Sequence, residues 1–267
     1  MRPNTLKALF ARGEAAVNGW LAIPSSISAE AMSHAGFDSL TIDMQHGPVS
    51  FEAAIPMLQA ISTTEVTPLF RAPWNEPSTI MRMLDAGAYG VICPMINNGV
   101  EAEELVNACR YPPAGKRSLG PNRARFYGGA DYGPDANEEM LVFAMIETTP
   151  GLTNLSEILS TPGLDGVYIG PNDLSLSLGG GPGADWTEGP AAEAIDSIIR
   201  VTRQHEKVVG IHCGSDSYAL SMIKKGCQLV TVQNDLGYLG TQARKVTTAV
   251  RNGTTINDQK DSSNNIY

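Results

Sequence analysis

The sequence predicts an α/β fold, a (β/α)8 TIM barrel, on three observations. Eight short apolar runs rich in β-branched residues recur along the chain, and each is followed by a segment of helical periodicity. These runs lack the polar–apolar alternation of half-exposed strands, as expected for parallel strands that are covered on both faces. The chain of 267 residues also has the size of one such barrel domain.

The predicted strands are apolar runs bounded by turn residues. In chain order they cover residues 19–24, 38–44, 66–73, 90–96, 141–148, 166–173, 208–213 and 229–235. Their spacing leaves room for a helix after each strand, which is the repeating unit of a closed barrel.

The predicted helices repeat apolar residues at intervals of three and four. Between the strands they cover residues 28–36, 50–62, 77–87, 100–110, 155–160, 190–206 and 217–226, and a last helix covers 237–251. A leading helix at 6–14 would close the bottom of the barrel. Pro77 stands at a helix start, and Gly87 and Gly226 follow helix ends, which are the positions that these residues favour.

The predicted barrel forms one domain over residues 1–253, followed by a polar, mobile tail over 254–267. A doubly wound open sheet is the alternative, but no strand–GxGxxG–helix fingerprint favours it. The Gly-rich segment at 179–185 does not directly follow a strand end, so we interpret it as a flexible loop and not as a phosphate-binding turn.

Charge and cysteine content limit the possible partners and compartment. A formal net charge of −9 argues against nucleic-acid binding, which requires clustered Lys and Arg. The four cysteines form no CxxC motif, and the N-terminus carries no signal-peptide pattern, so free thiols in a reducing cytoplasm are expected. No apolar stretch approaches the roughly 20 residues of a membrane span. We therefore expect a cytoplasmic protein without nucleic-acid or membrane partners.

Ionisable residues cluster at the predicted C-terminal ends of the strands, where TIM barrels carry their active sites. The residues at these ends are Asp43 and His46, Arg71, Glu147, Asp173 and His212. Other ionisable groups are scarce inside the strands, which makes this clustering the main functional signal.

Glu147 and Asp173 end consecutive predicted strands, which lie about 4.8 Å apart in a sheet. Two carboxylates at that spacing raise each other's pKa unless a cation lies between them. An all-oxygen site suits Mg²⁺ or Mn²⁺, with Co²⁺ as a possible substitute, and water and substrate would complete the shell. The alternative is that one carboxylate caps a helix while the other pairs with Arg71.

The turn Gly170-Pro171-Asn172-Asp173 can direct backbone N–H groups inward. Pro171 has no N–H, so the donors would be Gly170, Asn172 and Asp173. A 2-oxo acid could then chelate the ion while the turn binds its carboxylate. An ordinary loop turn is the alternative interpretation.

Asp43 and His46 form an Asp-x-x-His pair at the end of the second predicted strand. A carboxylate against an imidazole nitrogen would fix the tautomer of His46 and raise its basicity, giving a pair that takes a proton from a substrate hydroxyl or a water. Arg71 would offset negative charge on an enolate oxygen. The alternative interpretation of Asp43 and His46, if these two residues are considered by themselves, is a capped turn. Schiff-base chemistry is disfavoured because no lysine ends a predicted strand.

Five motifs in order, IDMQHGP, FRAPWNEP, RYPPAGKRS, MIETTPGL and DGVYIGPNDLS, resemble the HpcH/HpaI family of metal-dependent 2-oxo acid aldolases. The resemblance covers about residues 5–250. It implies a barrel that exchanges its last helix with a neighbour and assembles as a hexamer. It also implies reversible cleavage of a 4-hydroxy-2-oxo acid into an aldehyde and pyruvate, or a close analogue such as hydroxypyruvate.

The resemblance carries roles over to individual positions of this chain. Glu147 and Asp173 match the metal ligands, Asp43 and His46 the proton-handling pair, and Arg71 the enolate-stabilising residue. Gly170, Asn172 and Asp173 match the amides that bind the substrate carboxylate.

Three positions depart from the family pattern or fall outside its roles. Gln45 stands where members often carry Glu, and Met145 where they often carry Gln; His212 replaces a small apolar residue of some members. His212 would line the aldehyde pocket or else be a packed strand-end histidine. In the loop 111–129, Arg123 or Arg125 would reach a distal carboxylate or hydroxyls of the substrate in its own or a neighbouring active site, or else the loop is a solvated basic loop.

Two other functions fit the same residues less well. A CoA-thioester lyase of the citrate lyase β-subunit type would need a phosphate-binding basic patch, and only the segment 116–125 offers one. A non-catalytic barrel that binds a 2-oxo acid would not need all five of the predicted catalytic and metal-binding side chains.

Overall fold

The computed structural model describes residues 1–256, and its centre is a closed barrel of eight parallel strands in chain order, with β1 also pairing with β8. The strands are β1 (Ala16–Leu21), β2 (Ser39–Asp43), β3 (Thr67–Arg71), β4 (Gly90–Cys93), β5 (Leu141–Ile146), β6 (Gly166–Ile169), β7 (Val208–Cys213) and β8 (Leu229–Val232). The predicted fold class is confirmed.

Helices surround the barrel and connect its strands. They are α1 (Thr5–Ala11), α2 (Ser26–Ser33), α3 (Phe51–Ile61), α4 (Pro77–Asp85), α5 (Gly99–Cys109), α6 (Ala124–Gly128), α7 (Tyr132–Glu139), α8 (Thr149–Thr153), α9 (Leu155–Leu159), α10 (Pro171–Ser177), α11 (Gly189–Gln204), α12 (Asp216–Lys225) and α13 (Asp235–Arg251). Among residues 1–256, none of these helices combines the length and apolar character needed to cross a membrane.

Two boundaries differ from the sequence prediction in ways that affect the site. The sixth strand ends at Ile169, and the following residues form α10, because Pro171 at the first helical position has its φ angle already set for a helix. Asp173 therefore lies in a helical first turn and not at a strand end. The predicted loop 111–129 is partly helical, since it contains all of α6.

The hydrophobic core has two layers. One lies between the strands and the surrounding helices, and the other fills the barrel interior with large side chains such as Trp20, Phe143 and Tyr168. Leu6 of α1 is fully buried in the inner layer, so the leading helix closes one end of the barrel as predicted. The interior is packed, which leaves the opposite end for a functional cavity.

The division into a domain over 1–253 and a tail over 254–267 stays a prediction. Of the predicted tail, residues 257–267 lie outside the described residues. Before them, the backbone N–H of Thr254 donates to the carbonyl of Ala249 at 3.0 Å, which joins the start of the tail to the end of α13.

Candidate active site

A cavity of about 230 Å³ lies at the C-terminal end of the barrel and collects most of the predicted site residues. Those that line it are Asp43, His46, Arg71, Gly170, Asn172, Asp173 and His212. Closure of the barrel brings these residues together, because all eight parallel strands end on the same face. No lysine lines this cavity among the described residues, in agreement with the prediction against Schiff-base chemistry.

Asp43 and Arg71 form a buried, two-point ion pair across β2 and β3, where they are register partners. Arg71 Nε donates to Asp43 Oδ1 at 2.9 Å, and Nη2 donates to Oδ2 at 2.7 Å. Burial alone would raise the pKa of Asp43, but the hydrogen bonds and charge of Arg71 outweigh it and hold this pKa below its usual value. This side of the site is thus neutralised by the protein itself.

The contact between Asp43 and His46 differs from the one that the sequence predicts. Asp43 Oδ1 accepts hydrogen bonds from the backbone N–H groups of Gln45 at 3.1 Å and His46 at 3.2 Å, and not from the imidazole. A carboxylate that binds backbone groups two and three residues ahead stabilises a local turn. Asp43 therefore fixes the turn that carries His46, and the exposed His46 side chain lies at the cavity.

Trp20 is a site residue that the sequence analysis missed. It lines the cavity, and the guanidinium carbon of Arg71 lies 4.9 Å from its ring centroid. This cation–π contact and the ion pair hold Arg71 from two directions. Its position two residues after the inward-facing Asn18 would have indicated an inward side chain, since side chains alternate along a strand.

His212 lines the cavity at the end of β7 and meets the Trp20 ring edge to face, with centroids 5.2 Å apart. Burial lowers the pKa of His212 to about 4, and the positive charge of Arg71 lowers it further. His212 is therefore neutral at pH 7. A neutral imidazole has one donor and one acceptor nitrogen, so it can bind a hydroxyl group in either sense.

Glu147 follows β5 and is only 2% exposed, yet no ion pair compensates its charge among the described residues. Its Oε1 accepts the backbone N–H of Met95 at 2.8 Å. Burial, with a smaller contribution from the nearby charge of Asp173, raises the pKa of Glu147 to about 7, against the lowering effects of the Met95 amide and of Arg71. The predicted alternative, a carboxylate paired with Arg71, is not what is observed, because the guanidinium is bound to Asp43.

The residues at Glu147 and Asp173 fit a divalent cation. A Cβ atom on Gly170 would lie 2.5 Å from Glu147 Oε2, so the glycine leaves that oxygen uncovered. Asp173 is exposed in the first turn of α10, and its carboxylate has no hydrogen bond or ion pair within residues 1–256. No cluster of three or more His, Cys, Asp or Glu residues suited to a metal occurs in this part of the chain. Two carboxylates with water and substrate oxygens match the way in which Mg²⁺ is commonly held.

The predicted carboxylate-binding turn requires one correction. The N–H of Gly170 donates to the carbonyl of Ile146 at 3.2 Å, so it is not free to bind a substrate. Asn172 and Asp173 occupy the first turn of α10, where backbone N–H groups have no acceptor within the helix. Only these two of the three predicted amides can reach a ligand.

Arg123 lies far from the cavity of its own subunit. Its guanidinium donates to the carbonyl of Ala86 and contacts Gly87, in the connection that precedes β4 and therefore at the N-terminal end of the barrel. The prediction that Arg123 binds substrate is wrong for this chain's own site. No local pattern indicated this position, because a loop between strands can fold towards either end of a barrel.

The two departures at Gln45 and Met145 have structural counterparts. Met145 lines the cavity, and its methyl group would lie 2.7 Å from a Cβ on Gly170. Gln45 Oε1 is buried and has no hydrogen-bond partner among the described residues. Asn234, which lines the cavity and caps α13, was not predicted.

Comparison with known proteins identifies the family. A protein named hydroxypyruvate/pyruvate aldolase from Rhizorhabdus wittichii is 42% identical over 243 residues, which are 91% of this chain and 97% of that protein. A 4-hydroxy-2-oxo-heptane-1,7-dioate aldolase from Shigella flexneri is 35% identical over 267 residues, 99% of each chain.

The fold and a family model give the same assignment. The crystal structure of an HpcH/HpaI aldolase/citrate lyase family protein from Burkholderia cenocepacia J2315 has a TM-score of 0.86 and 32% identity, and covers 93% of this chain and 99% of its own. The family model described as HpcH/HpaI aldolase/citrate lyase matches residues 18–213. The family and the carbon–carbon lyase class predicted from the motifs are thereby confirmed, and the chain belongs to the HpcH/HpaI aldolase/citrate lyase family.

Proposed function

We propose that this protein is a divalent-metal-dependent aldolase that reversibly cleaves 4-hydroxy-2-oxo acids into an aldehyde and pyruvate, or a close analogue such as hydroxypyruvate. One observation carries the proposal: a single cavity is lined by the self-neutralised Asp43–Arg71 pair and by Asp173, and the uncompensated carboxylate of Glu147 is buried next to Gly170 of the same lining. The names of the relatives from R. wittichii and S. flexneri support the substrate class.

Glu147 and Asp173 would hold the cation, which we propose to be Mg²⁺ or Mn²⁺, with Co²⁺ as a substitute. When bound, such an ion acts as a Lewis acid that polarises the keto oxygen of the 2-oxo acid. The N–H groups of Asn172 and Asp173 would bind the substrate carboxylate, aided by the positive end of the α10 dipole.

Arg71 would stabilise the negative charge that develops on the substrate when its C3–C4 bond breaks. Asp43 and Trp20 hold the guanidinium in place before the reaction, so little reorganisation is needed when the charge forms. The role of Asp43 is then to orient Arg71 and the His46 turn, and not to polarise the imidazole directly.

His46 would act as the general base. A ring nitrogen takes the proton of the C4 hydroxyl, directly or through a water, and the electrons of the C3–C4 bond remain on the pyruvate fragment as the aldehyde leaves. Return of a proton to C3 completes the cleavage and yields pyruvate. His212, neutral and in edge-to-face contact with Trp20, would contact the aldehyde portion of the substrate.

A coupled assay for pyruvate release tests this function. Purified protein is assayed with several 4-hydroxy-2-oxo acids and no CoA, after EDTA treatment and after addition of Mn²⁺, Mg²⁺ or Co²⁺. We expect turnover that EDTA abolishes and a metal restores, and a loss of roughly 10²- to 10⁴-fold in His46→Ala, as for a lost general base.

The control for His46→Ala is His34→Ala, because His34 is an exposed histidine at the C-terminus of α2 and does not line the cavity. Pyruvate release that is insensitive to EDTA would contradict the metal-dependent mechanism. Absence of turnover on every oxo acid without CoA would favour the CoA-thioester lyase, and tight binding without turnover would favour a non-catalytic binding protein.

We further propose that the protein assembles as a hexamer in which the last helix packs on a neighbouring subunit. In α13, only Asp235 and Ala249 are buried, whereas Leu236, Leu239 and Val250 are 57%, 62% and 73% exposed. An apolar face of this kind supports a protein partner. Sedimentation of the full chain should give the mass of six subunits; a monomer would contradict this assembly.

A cytoplasmic location is also proposed. All four cysteines are free and buried, which supports a reducing compartment. Cell fractionation with an antibody against the protein tests this directly.

A further inference from the structure

Met95, just after β4, adopts an unusual backbone conformation that serves Glu147. Its φ angle is +58°, in the left-handed region that non-glycine residues rarely occupy. In this conformation its N–H donates to Glu147 Oε1 at 2.8 Å. The other carboxylate oxygen, Oε2, lies on the side of Gly170 and of the cavity. Backbone strain is therefore coupled to the orientation of a buried carboxylate.

Asn97 holds Met95 in this conformation. Its side-chain Nδ2 donates to the carbonyl of Met95 at 2.7 Å, and its Oδ1 accepts from the hydroxyl of Thr148, the residue after Glu147. One amide side chain thus joins the turn after β4 to the chain that carries Glu147.

The backbone of Asn97 is also fixed from both sides. Its N–H donates to Glu101 Oε2 at 2.7 Å, and its carbonyl accepts from Asn154 Nδ2 at 2.8 Å. With its side chain included, each of the polar groups of Asn97 has a partner. A residue with all of its polar groups bound is well suited to impose geometry on its neighbours.

We propose that Asn97 is a positioning residue for Glu147: through the left-handed turn at Met95 it keeps Oε1 occupied and leaves Oε2 on the side of Gly170, where it would hold the cation. This inference rests on the proposed metal-dependent function. Asn97 does not line the cavity, so its effect would reach the cation only through Met95 and Glu147. Partners of metal ligands commonly act in this way by fixing the orientation of the ligand.

The test measures Mn²⁺ binding to the purified full chain by calorimetry or by the spectrum of free Mn²⁺, independently of activity. In Asn97→Ala we expect the Mn²⁺ dissociation constant to rise about 10-fold, the lower end of the range for lost partners of metal ligands. A second change, Met95→Gly, should then recover part of the affinity in the double variant, since glycine adopts a positive φ without steric conflict.

The matched control is Asn75→Ala. Like Asn97, Asn75 donates its side-chain amide to a backbone carbonyl, that of Glu101 in the first turn of α5, at 3.0 Å, but among the described residues it has no hydrogen bond to Met95, Glu147 or Thr148. Its Mn²⁺ affinity should equal that of the wild type. Thermal unfolding of the metal-free proteins separates a general loss of stability from a loss of affinity. If Asn97→Ala fails to fold, Asn97→Ser replaces it with the same expectation, because serine lacks the amide donor to Met95.

The outcomes distinguish this inference from the function on which it rests. Wild-type protein that binds no Mn²⁺, or Glu147→Gln that binds it as well as the wild type, would overturn the proposed metal site itself. A wild type that binds and Glu147→Gln that does not, together with unchanged binding in Asn97→Ala, would overturn only the role of Asn97. A double variant no better than Asn97→Ala would show that Asn97 does not act through the conformation of Met95.

Discussion

The two sides of the active site differ in how the charge of a buried carboxylate is compensated. At β2 and β3, Asp43 is bound by both arms of Arg71, and its pKa is held below the usual value. After β5, Glu147 is buried with Asp173 of α10 nearby and, among residues 1–256, without an ion-pair partner, and its pKa is raised to about 7. Each side has a buried carboxylate, but only Asp43 has its opposite charge supplied by a side chain of the protein.

This difference indicates what each side is for. A charge that is already paired is held rigidly and serves to orient its neighbours, here Arg71 and the His46 turn. A buried carboxylate without a partner destabilises the folded protein unless a ligand supplies the opposite charge. We therefore propose that the uncompensated side is the one that binds a cation.

The largest expected effect is on turnover after removal of a carboxylate from the uncompensated side. Glu147→Gln should lower kcat for pyruvate release by about 10³-fold or more, because a Lewis acid contributes several kcal/mol to the transition state. Glu193→Gln, an exposed glutamate of α11, is the control and should behave like the wild type. Retention of full activity by Glu147→Gln would show that the assignment of Glu147 as a metal ligand is wrong.

The same comparison predicts opposite effects on stability without metal. Arg71→Met leaves the carboxylate of Asp43 buried and unpaired, so the free energy of unfolding should fall by about 3 kcal/mol or more. Glu147→Gln removes an uncompensated charge and should leave the metal-free protein at least as stable as the wild type. Urea unfolding at pH 8 in EDTA measures both; equal losses in the two variants would mean that the two sides are electrostatically alike.

Addition of a cation should stabilise the folded protein, and this stabilisation should depend on Glu147 and Asp173 and not on Asp43. For the wild type, free Mn²⁺ at about 100 times its dissociation constant should add about 2.7 kcal/mol to the free energy of unfolding. Asp43→Asn should keep this increment although its starting stability is lower, whereas Glu147→Gln should lose it. Thermal unfolding with and without Mn²⁺ gives the increments. The assignment fails if Asp43→Asn loses the increment and Glu147→Gln keeps it.

The smallest expected effect is on the selectivity for the aldehyde, which we assign to His212 beside Trp20 and Arg71. His212→Leu replaces a neutral hydrogen-bonding ring with an apolar side chain, so the preference for a hydroxylated over an unsubstituted aldehyde should fall about 10-fold in the ratio of kcat/KM values. His205→Leu is the matched control, since His205 bonds to the carbonyl of Val201 at the end of α11. An unchanged ratio in His212→Leu would indicate that His212 is only a packed residue.

The element pattern was sufficient to predict which residues would meet, but not how they would pair. Asp43, Arg71 and His212 converge because parallel strands of a closed barrel end on one face, and the strands were visible as local apolar runs. Whether Arg71 pairs with Asp43 or with Glu147 depends on the geometry of side chains on different strands. The direct register pairing of Asp43 with Arg71 decides it.

Arg123 and Gly170 are two further residues whose contacts the sequence pattern could not predict. Whether Arg123 faces the top or the bottom of the barrel depends on how its loop packs, and the structure has it bound near Ala86 at the bottom. The N–H of Gly170 looked available because its partner, the carbonyl of Ile146, is distant in sequence. Contacts between residues far apart in the chain leave no periodic signal.

The sequence by itself determined the eight-stranded barrel, the order of its strands and the set of chemical groups at its C-terminal face, because helix and strand periodicity are local properties. Only the tertiary structure decided that one carboxylate side is neutralised and the other is not, and that Met95 is held in a left-handed turn against Glu147. The physical reason is that burial, charge compensation and backbone strain depend on which distant groups come within a few ångströms, and the closed barrel fixes that.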